Sequence, residues 1–270
     1  EIYDIVFQVS NHDIAFKFRV YSQDNILCCI VKKEATGFML PEGSTTFLCP
    51  QAAPMGGFAR TSPSYETSYT VDDVTGKNGW GNGYTFPCLF KNEDKGWILI
   101  SETGVSSAYC GSRLLGKENG LYTIGFPQEG EYNGNGTVSP GIALPGETPW
   151  RTITVGRTLA PIVETTVMFD VVKPLYEASQ DFQYGCGTWS WIIGGDNSMN
   201  YDEQKRYIDF SADMGYSSVL VDALWDTQVG RDKIAELADY AASKEETLYL
   251  WYNNNEYRNE APLSQRSIMN

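Results

Sequence analysis

The rhythm of apolar and polar residues changes once along the chain. Up to about residue 180 it is a period of two. Residues 5–9 and 14–21 alternate, with Asn11 and Asp13 as turn residues between them. The second run puts Phe16, Phe18 and Val20 on one face and Lys17, Arg19 and Tyr21 on the other, as in a half-buried antiparallel strand. Residues 26–31, 45–48, 97–101, 150–155 and 165–172 predict further strands. The Gly/Asn clusters at 78–83 and 130–136 predict loops. The first lacks the Gly-Lys-Ser/Thr ending of a phosphate loop. Many short strands separated by turn signals predict a large β-sandwich. No internal repeat is visible.

Residues 174 to about 182, opening on Pro174, read as a linker. Beyond it the pattern predicts strand, helix, strand, helix, strand over residues 185–255. Asn200 with Glu203 three positions on marks a helix start. Tyr207, Phe210, Ala212 and Met214 supply its apolar side chains, and Gly215 marks its stop. Residues 219–221 (Val-Leu-Val) form the continuous apolar run of a buried parallel strand. The next helix spans about 231–243, with Ile234, Leu237, Ala238 and Ala241 as its buried stripe. Residues 248–252 predict a third strand, and residues 256–270 complete no further one. Each strand ends in Trp, Asp or Asn, as when an α/β barrel presents groups at the carboxyl ends of its strands.

Composition narrows the partners. Apolar content is 42%, enough for a core and too much for a disordered chain. Aromatic content is 13%, with 17 Tyr and 7 Trp, which suits sheet cores and also sugar-stacking surfaces. A net charge of -14 repels phosphate backbones and argues against a nucleic-acid partner. No run of 18 apolar residues exists, so no membrane span is expected. No signal-peptide pattern is visible. The chain opens on Glu1 rather than Met, so the expected start of the protein lies upstream. The six cysteines make no CxxC pair, and His12 is the only histidine. A zinc site is therefore not expected. A histidine-based nucleophilic pair would need His12, which sits in a strand-like stretch. The cysteines are expected to be mostly buried thiols.

Three motifs carry a family resemblance: Gly-Thr-Trp-Ser-Trp-Ile-Ile at 187–193, Asp-Ala-Leu-Trp-Asp at 222–226 and Leu-Trp-Tyr-Asn at 250–253. At these, over residues 201–241, at 148–153 (Thr-Pro-Trp-Arg-Thr-Ile) and at Ser101-Glu102, the sequence resembles glycoside hydrolase family 97. The resemblance implies an amino-terminal β-super-sandwich followed by a (β/α)8 barrel and a small carboxyl-terminal β-domain. Residues 1–178 would be the sandwich, incomplete at its start. Residues 179–270 would be the first strands and helices of a truncated barrel. The family's members are calcium-dependent, exo-acting α-glucosidases (inverting) or α-galactosidases (retaining), commonly exported to the periplasm. The resemblance thus implies an α-linked oligosaccharide as partner, calcium as cofactor, and a periplasmic or secreted location. Such hydrolysis needs two carboxyl groups, about 5–5.5 Å apart for retention and about 6.5–9.5 Å for inversion. In the family they follow the fourth and later strands, so they are expected beyond Asn270.

Within the chain, Glu102 matches the family's sandwich glutamate that reaches calcium, a hard cation needing several oxygen ligands. By itself it also reads as an exposed strand-end carboxylate. Asp222, directly after an apolar strand, would accept hydrogen bonds from sugar hydroxyls, or else cap a loop or form an intra-barrel salt bridge. Asp226 reads mainly as a cap. Trp189, Trp191, Trp225 and Trp251 lie at or near strand ends, where an indole can pack on the C–H face of a pyranose. Trp189 is the first choice, and barrel packing is the other reading. Asn253 and Asn254 would bond hydroxyls or serve a turn. Lys-Glu-Glu-Thr at 244–247 replaces the family's Lys-Gly-type helix stop. Two rivals remain: a carbohydrate-binding protein that does not cleave, and an α-galactosidase of another barrel family. Three parallel strands leave an open edge, so self-association is expected for this chain alone.

Overall fold

A computed structural model describes residues 2–51, 70–71, 83–118, 120–129, 137–179, 181 and 184–252. The predicted loop at 130–136, nearly all of that at 78–83, and the stretch 256–270 lie outside the described residues. The chain divides into two compact units, Glu1–Leu175 and Tyr176–Asn270.

The first unit is mostly sheet. Its strands are β1 (Tyr3–Val9), β2 (Asp13–Val20), β3 (Cys28–Ile30), β4 (Gly37–Met39), β5 (Ser44–Pro50), β6 (Thr70–Val71), β7 (Tyr84–Asn92), β8 (Gly96–Thr103), β9 (Arg113–Glu118), β10 (Leu121–Gly125), β11 (Gly141–Ala143), β12 (Gly146–Glu147) and β13 (Trp150–Gly156). Eleven of them form one antiparallel sheet whose main path runs β1-β2-β13-β8-β7-β9-β10-β4, and β3 pairs with β11. The predicted first hairpin is present, with Tyr3 opposite Val20 and Val9 opposite Ile14. Its turn is closed by Ser10, whose N–H donates to the Asp13 carbonyl at 2.9 Å.

Alternation builds the core. Leu48, Tyr84, Cys88, Phe90, Ile100 and Leu114 point to one side and are fully buried. Each such side chain contributes about 1.5–3 kcal/mol by leaving water. The opposite face carries Ala15, Trp150 and Val167. Two of the six cysteines, Cys49 and Cys88, are buried, whereas Cys28 and Cys186 are exposed, so the expectation of mostly buried thiols is corrected. Burial pushes the Cys88 thiol well up, so it behaves as a small hydrophobe.

The strand expected at 165–172 is instead a short helix, α2 (Val167–Asp170), preceded by α1 (Ala160–Glu164). The β-branched run misled. Its apolar residues Val167, Met168, Val171 and Val172 pack on one cluster at helical spacing. The threonine hydroxyls divert the backbone: the Val167 N–H donates to Thr165 Oγ1 at 3.2 Å, and Thr166 Oγ1 donates to Asp170 at 2.8 Å. Such local bonds compete with a sheet ladder.

The second unit is a three-stranded parallel sheet of β14 (Gly187–Trp189), β15 (Ser218–Val221) and β16 (Thr247–Leu250). Between the strands lie α3 (Trp191–Gly194), a 3-10 turn (Gly195–Ser198), α4 (Tyr201–Asp213), a π-turn (Trp225–Val229) and α5 (Arg231–Ala242). No closed barrel is present among the described residues. The Asn200 cap is as predicted, its Oδ1 accepting the Glu203 N–H at 3.0 Å. Such a cap contributes about 1 kcal/mol. Gly215 follows α4 at φ +69°, and the Tyr216 N–H closes on the Ser211 carbonyl at 3.0 Å.

The buried face of α4 differs from the expected one. Gln204, Ile208 and Ser211 are buried, while Phe210 and Met214 are each 52% exposed. Gln204 belongs inside because its amide donates to Ser190 Oγ at 2.9 Å and to the Ser198 carbonyl at 2.7 Å. In α5, Ile234, Leu237 and Ala241 are buried as predicted, and Ala238 is exposed.

Candidate active site

The three parallel strands deliver their chemistry at their carboxyl ends. Trp189 closes β14, and Asp222 follows β15 directly. The Trp189 indole N–H donates to Asp222 Oδ2 at 2.5 Å, and Oδ1 accepts the Ala223 N–H. Asp222 is buried, so these bonds hold an otherwise costly carboxylate in one orientation. A carboxylate has about four acceptor positions, so about two remain for hydroxyl donors.

Trp191 opens α3 and lies across Trp189, with ring centroids 5.9 Å apart and 20° between planes. Its own indole N–H donates to Asp196 Oδ1 at 3.0 Å. The ring is 37% exposed, so an apolar face is open to solvent. Ser190 turns the chain between the two indoles. It is fully buried and bonded to Ser198 and Gln204.

Trp225 stands apart from this pair. It is 2% exposed in the core of the unit, and its indole donates to the Trp251 carbonyl at 3.1 Å. It offers no ring face to a ligand, which corrects its place among the candidate sugar platforms. Trp251 is half-buried, and its N–H extends the ladder to the Val221 carbonyl at 2.9 Å. Asp226 lies within the π-turn, beside a shallow cleft lined by Gly230, Arg231 and Lys233. Leu224, just before that turn, has φ +68°. Left-handed backbone and a π-turn within seven residues of Asp222 are the local strain that functional segments often carry. Asn253 and Asn254 lie outside the described residues.

In the first unit Glu102 sits near the end of β8, directly opposite Arg151 of β13. Arg151 is fully buried and joins two carboxylates. Its Nε and Nη2 donate to the two oxygens of Glu34 at 2.9 and 2.5 Å. Its Nη1 donates to Glu102 Oε2 at 2.5 Å and to Ser112 Oγ at 2.9 Å. Ser112 completes the group, donating its N–H to Glu102 Oε1 at 2.8 Å and its hydroxyl to Oε2 at 2.6 Å. Burial opposes charge on Arg151, but the bonds and charge of Glu34, with Glu102, outweigh it and hold the guanidinium above its ordinary pKa. Nearby Tyr109 is pushed up by burial and then by the Glu34 charge.

This arrangement tests the expected calcium role. Three of about four acceptor positions on Glu102 are filled, leaving about one on Oε1. Glu102 therefore fits calcium as a single-oxygen ligand. Calcium takes about six to eight oxygens. Among the described residues no group of three or more His, Cys, Asp or Glu gathers to supply them. Glu34, Arg151 and Ser112 escaped sequence reasoning. The available signal was Arg151 itself, a charge at the inward position opposite Phe16 in an otherwise apolar and threonine-rich strand.

Comparison with known proteins decides the family. Residues 1–174 match the family model described as "Glycosyl-hydrolase 97 N-terminal". The chain belongs to glycoside hydrolase family 97. A probable retaining alpha-galactosidase of Streptomyces bingchenggensis is 28% identical over 227 residues, covering 83% of this chain and 31% of that protein. The crystal structure of a beta-arabinopyranosidase superposes with TM-score 0.82 at 54% identity, over 92% of this chain and 40% of that one. A family 97 enzyme from Pseudoalteromonas sp. strain K8, solved with panose, superposes with TM-score 0.65 at 21% identity, over 91% and 39%. The chain thus spans less than half the length of these family relatives. Its mostly-sheet first unit is the family's amino-terminal domain. No helix among the described residues is long and apolar enough to cross a membrane.

Proposed function

We propose that the full-length protein is an exo-acting glycosidase that removes terminal pyranosides of α-galacto configuration. α-D-Galactosides and β-L-arabinopyranosides are its substrates. The carrying observation is the strand-end group of Trp189, Trp191 and Asp222, where a fixed carboxylate lies beside a stacked indole pair with an open face. A pyranose of this class has an apolar C–H face to pack on an indole and hydroxyls to donate to Asp222. The relatives' names supply the configuration. β-L-Arabinopyranose has the ring stereochemistry of α-D-galactopyranose and differs by lacking the C6 hydroxymethyl group, so one pocket can take both.

In this reading β14, β15 and β16 are the first three strands of a (β/α)8 barrel, and the site lies at its carboxyl-end mouth. Two carboxylates, a nucleophile and an acid/base, come from residues beyond 270, and the reaction proceeds with retention. Within this chain, Asp222 and Trp189 orient the sugar, and Trp191 covers it from water. Glu102 gives one oxygen to calcium, held in place by Arg151 and Ser112. When bound, calcium would supply positive charge beside Glu102. The protein acts in the periplasm or is secreted.

Steady-state kinetics of full-length Asp222→Asn and Trp189→Phe test this reading. Each is expected to raise KM for p-nitrophenyl α-D-galactoside about ten-fold, the effect of about 1.4 kcal/mol. Unchanged kinetics in both would place the sugar elsewhere. Dialysis against chelator is expected to lower activity, with recovery on adding calcium. Full activity after chelation would remove calcium from the account.

A further inference from the structure

The first unit carries a second cleft, built by turns at the end of the sheet away from Glu102. It has a volume of about 310 Å³. The β1–β2 turn brings His12, the β7–β8 turn brings Lys95, and the residue after β13 brings Arg157. Between these exposed cationic and basic groups lies an apolar wall of Ile98 and Val155, which face each other across the β8–β13 ladder. Among the described residues no acidic side chain lines the cleft. Asp94, beside Lys95 in the same turn, is exposed and is not among the lining residues. Both oxygens of Asp13 are taken, by Thr154 and Thr165 on one side and Ser10 on the other. The Glu93 carboxylate lies against Gly43.

One further feature shows that the cleft is formed by the fold and is not a chance gap between surface chains. The floor is a close backbone approach: a Cβ on Gly96 would stand 2.5 Å from the Gly156 carbonyl, and Gly96 has φ +147°.

We propose that this cleft binds an acidic saccharide unit, a uronate. Lys95 and Arg157 take the carboxylate, with His12 as a further donor. Ile98 with Val155 packs on the apolar edge of the ring. The volume suits one monosaccharide. In a chain of net charge -14, a concave patch free of acidic groups marks where an anion is accepted. The cleft would hold the full-length enzyme on an acidic glycan while the strand-end site works on neutral termini. It stands on its own geometry, whatever the strand-end site cleaves.

Calorimetric titration of the full-length protein with D-galacturonate, D-galactose and inorganic phosphate tests this. Galacturonate is expected to bind with millimolar affinity that weakens as salt is added. Lys95→Glu with Arg157→Glu is expected to weaken it at least ten-fold and leave kcat/KM on neutral glycosides unchanged. Trp189→Ala is expected to leave galacturonate binding intact. If the charge-reversed protein loses its fold, Lys95→Gln with Arg157→Gln replaces it, with the same direction expected. Absence of galacturonate binding overturns the proposal. So does binding that survives both pairs of substitutions, binding that disappears in Trp189→Ala, or phosphate binding as tightly as galacturonate.

Discussion

Replacing Arg151 with methionine isolates the cost of the buried charge network. The guanidinium is fully buried, the Glu34 side chain is 4% exposed and that of Glu102 11%. Methionine keeps much of the apolar volume but removes four hydrogen bonds, two of them the bidentate pair to Glu34. Glu34 is then a buried carboxylate without its partner. Removing one member of a buried pair costs about 3–5 kcal/mol, most of it the uncompensated charge left behind. In a unit of this size each kcal/mol moves the melting temperature by about 2–4 °C. The expected fall is therefore roughly 6–20 °C in the transition of the first unit, read by calorimetry on the full-length protein. Adding Glu34→Gln to Arg151→Met should recover part of the loss at neutral pH. A fall of only 1–2 °C would mean the network is solvated like a surface pair and would refute the reasoning.

Other outcomes follow from single residues. Glu245, just beyond α5, has φ +63°, a left-handed position that costs a non-glycine residue about 1–2 kcal/mol; Glu245→Gly is expected to raise the melting temperature of the second unit by a few degrees. Glu246 is buried, and neither carboxylate oxygen takes a hydrogen bond of ordinary geometry among the described residues. Burial pushes its carboxyl up, with Ser211 as the opposing donor. The folded state therefore holds the proton to higher pH than the unfolded chain does, and stability is lost as pH rises from about 4.5 through the raised value. Glu246→Gln should abolish that decline and stabilise the protein near neutrality by about 1–3 kcal/mol, measured by denaturant titration at several pH values. Trp191→Ala should raise KM with little change in melting temperature. Trp225→Ala should instead cost about 3–5 kcal/mol of stability, because that ring is core.

The sheet hairpin, the Asn200 cap and the α5 stripe were legible because each is a local pattern: alternation, a capping pair, a 3.6-residue period. The α4 face was not. Its inward residues include Gln204 and Ser211, whose burial depends on Ser190, Ser198 and the Ser218 carbonyl, all distant from them in pattern if not in sequence. Residues 165–172 failed for a related reason. Val, Met and Phe fit a strand as well as a helix, and the choice rested on two threonine hydroxyls: Thr166 bonds Asp170 locally, while Thr165 takes the Val167 N–H and also reaches Asp13, more than a hundred residues away. The site was half legible. Trp189 and Asp222 stood at strand ends in the sequence, and the structure joins them by a hydrogen bond. The network around Glu102 could not be seen, since Glu34, Ser112 and Arg151 come from three separated segments. Trp225 looked like Trp189 in sequence context, and only packing around β15 and α5 separates a core indole from an open one.

The most direct measurement is hydrolysis by the full-length protein of p-nitrophenyl α-D-galactopyranoside, β-L-arabinopyranoside and α-D-glucopyranoside, compared by kcat/KM. The first two share one ring configuration and the third differs at C4. Activity on one or both of the first pair, exceeding that on the glucoside at least a hundred-fold, is the predicted result. A preference for the glucoside would contradict the galacto assignment, and no hydrolysis of any of the three would leave a carbohydrate-binding protein in its place.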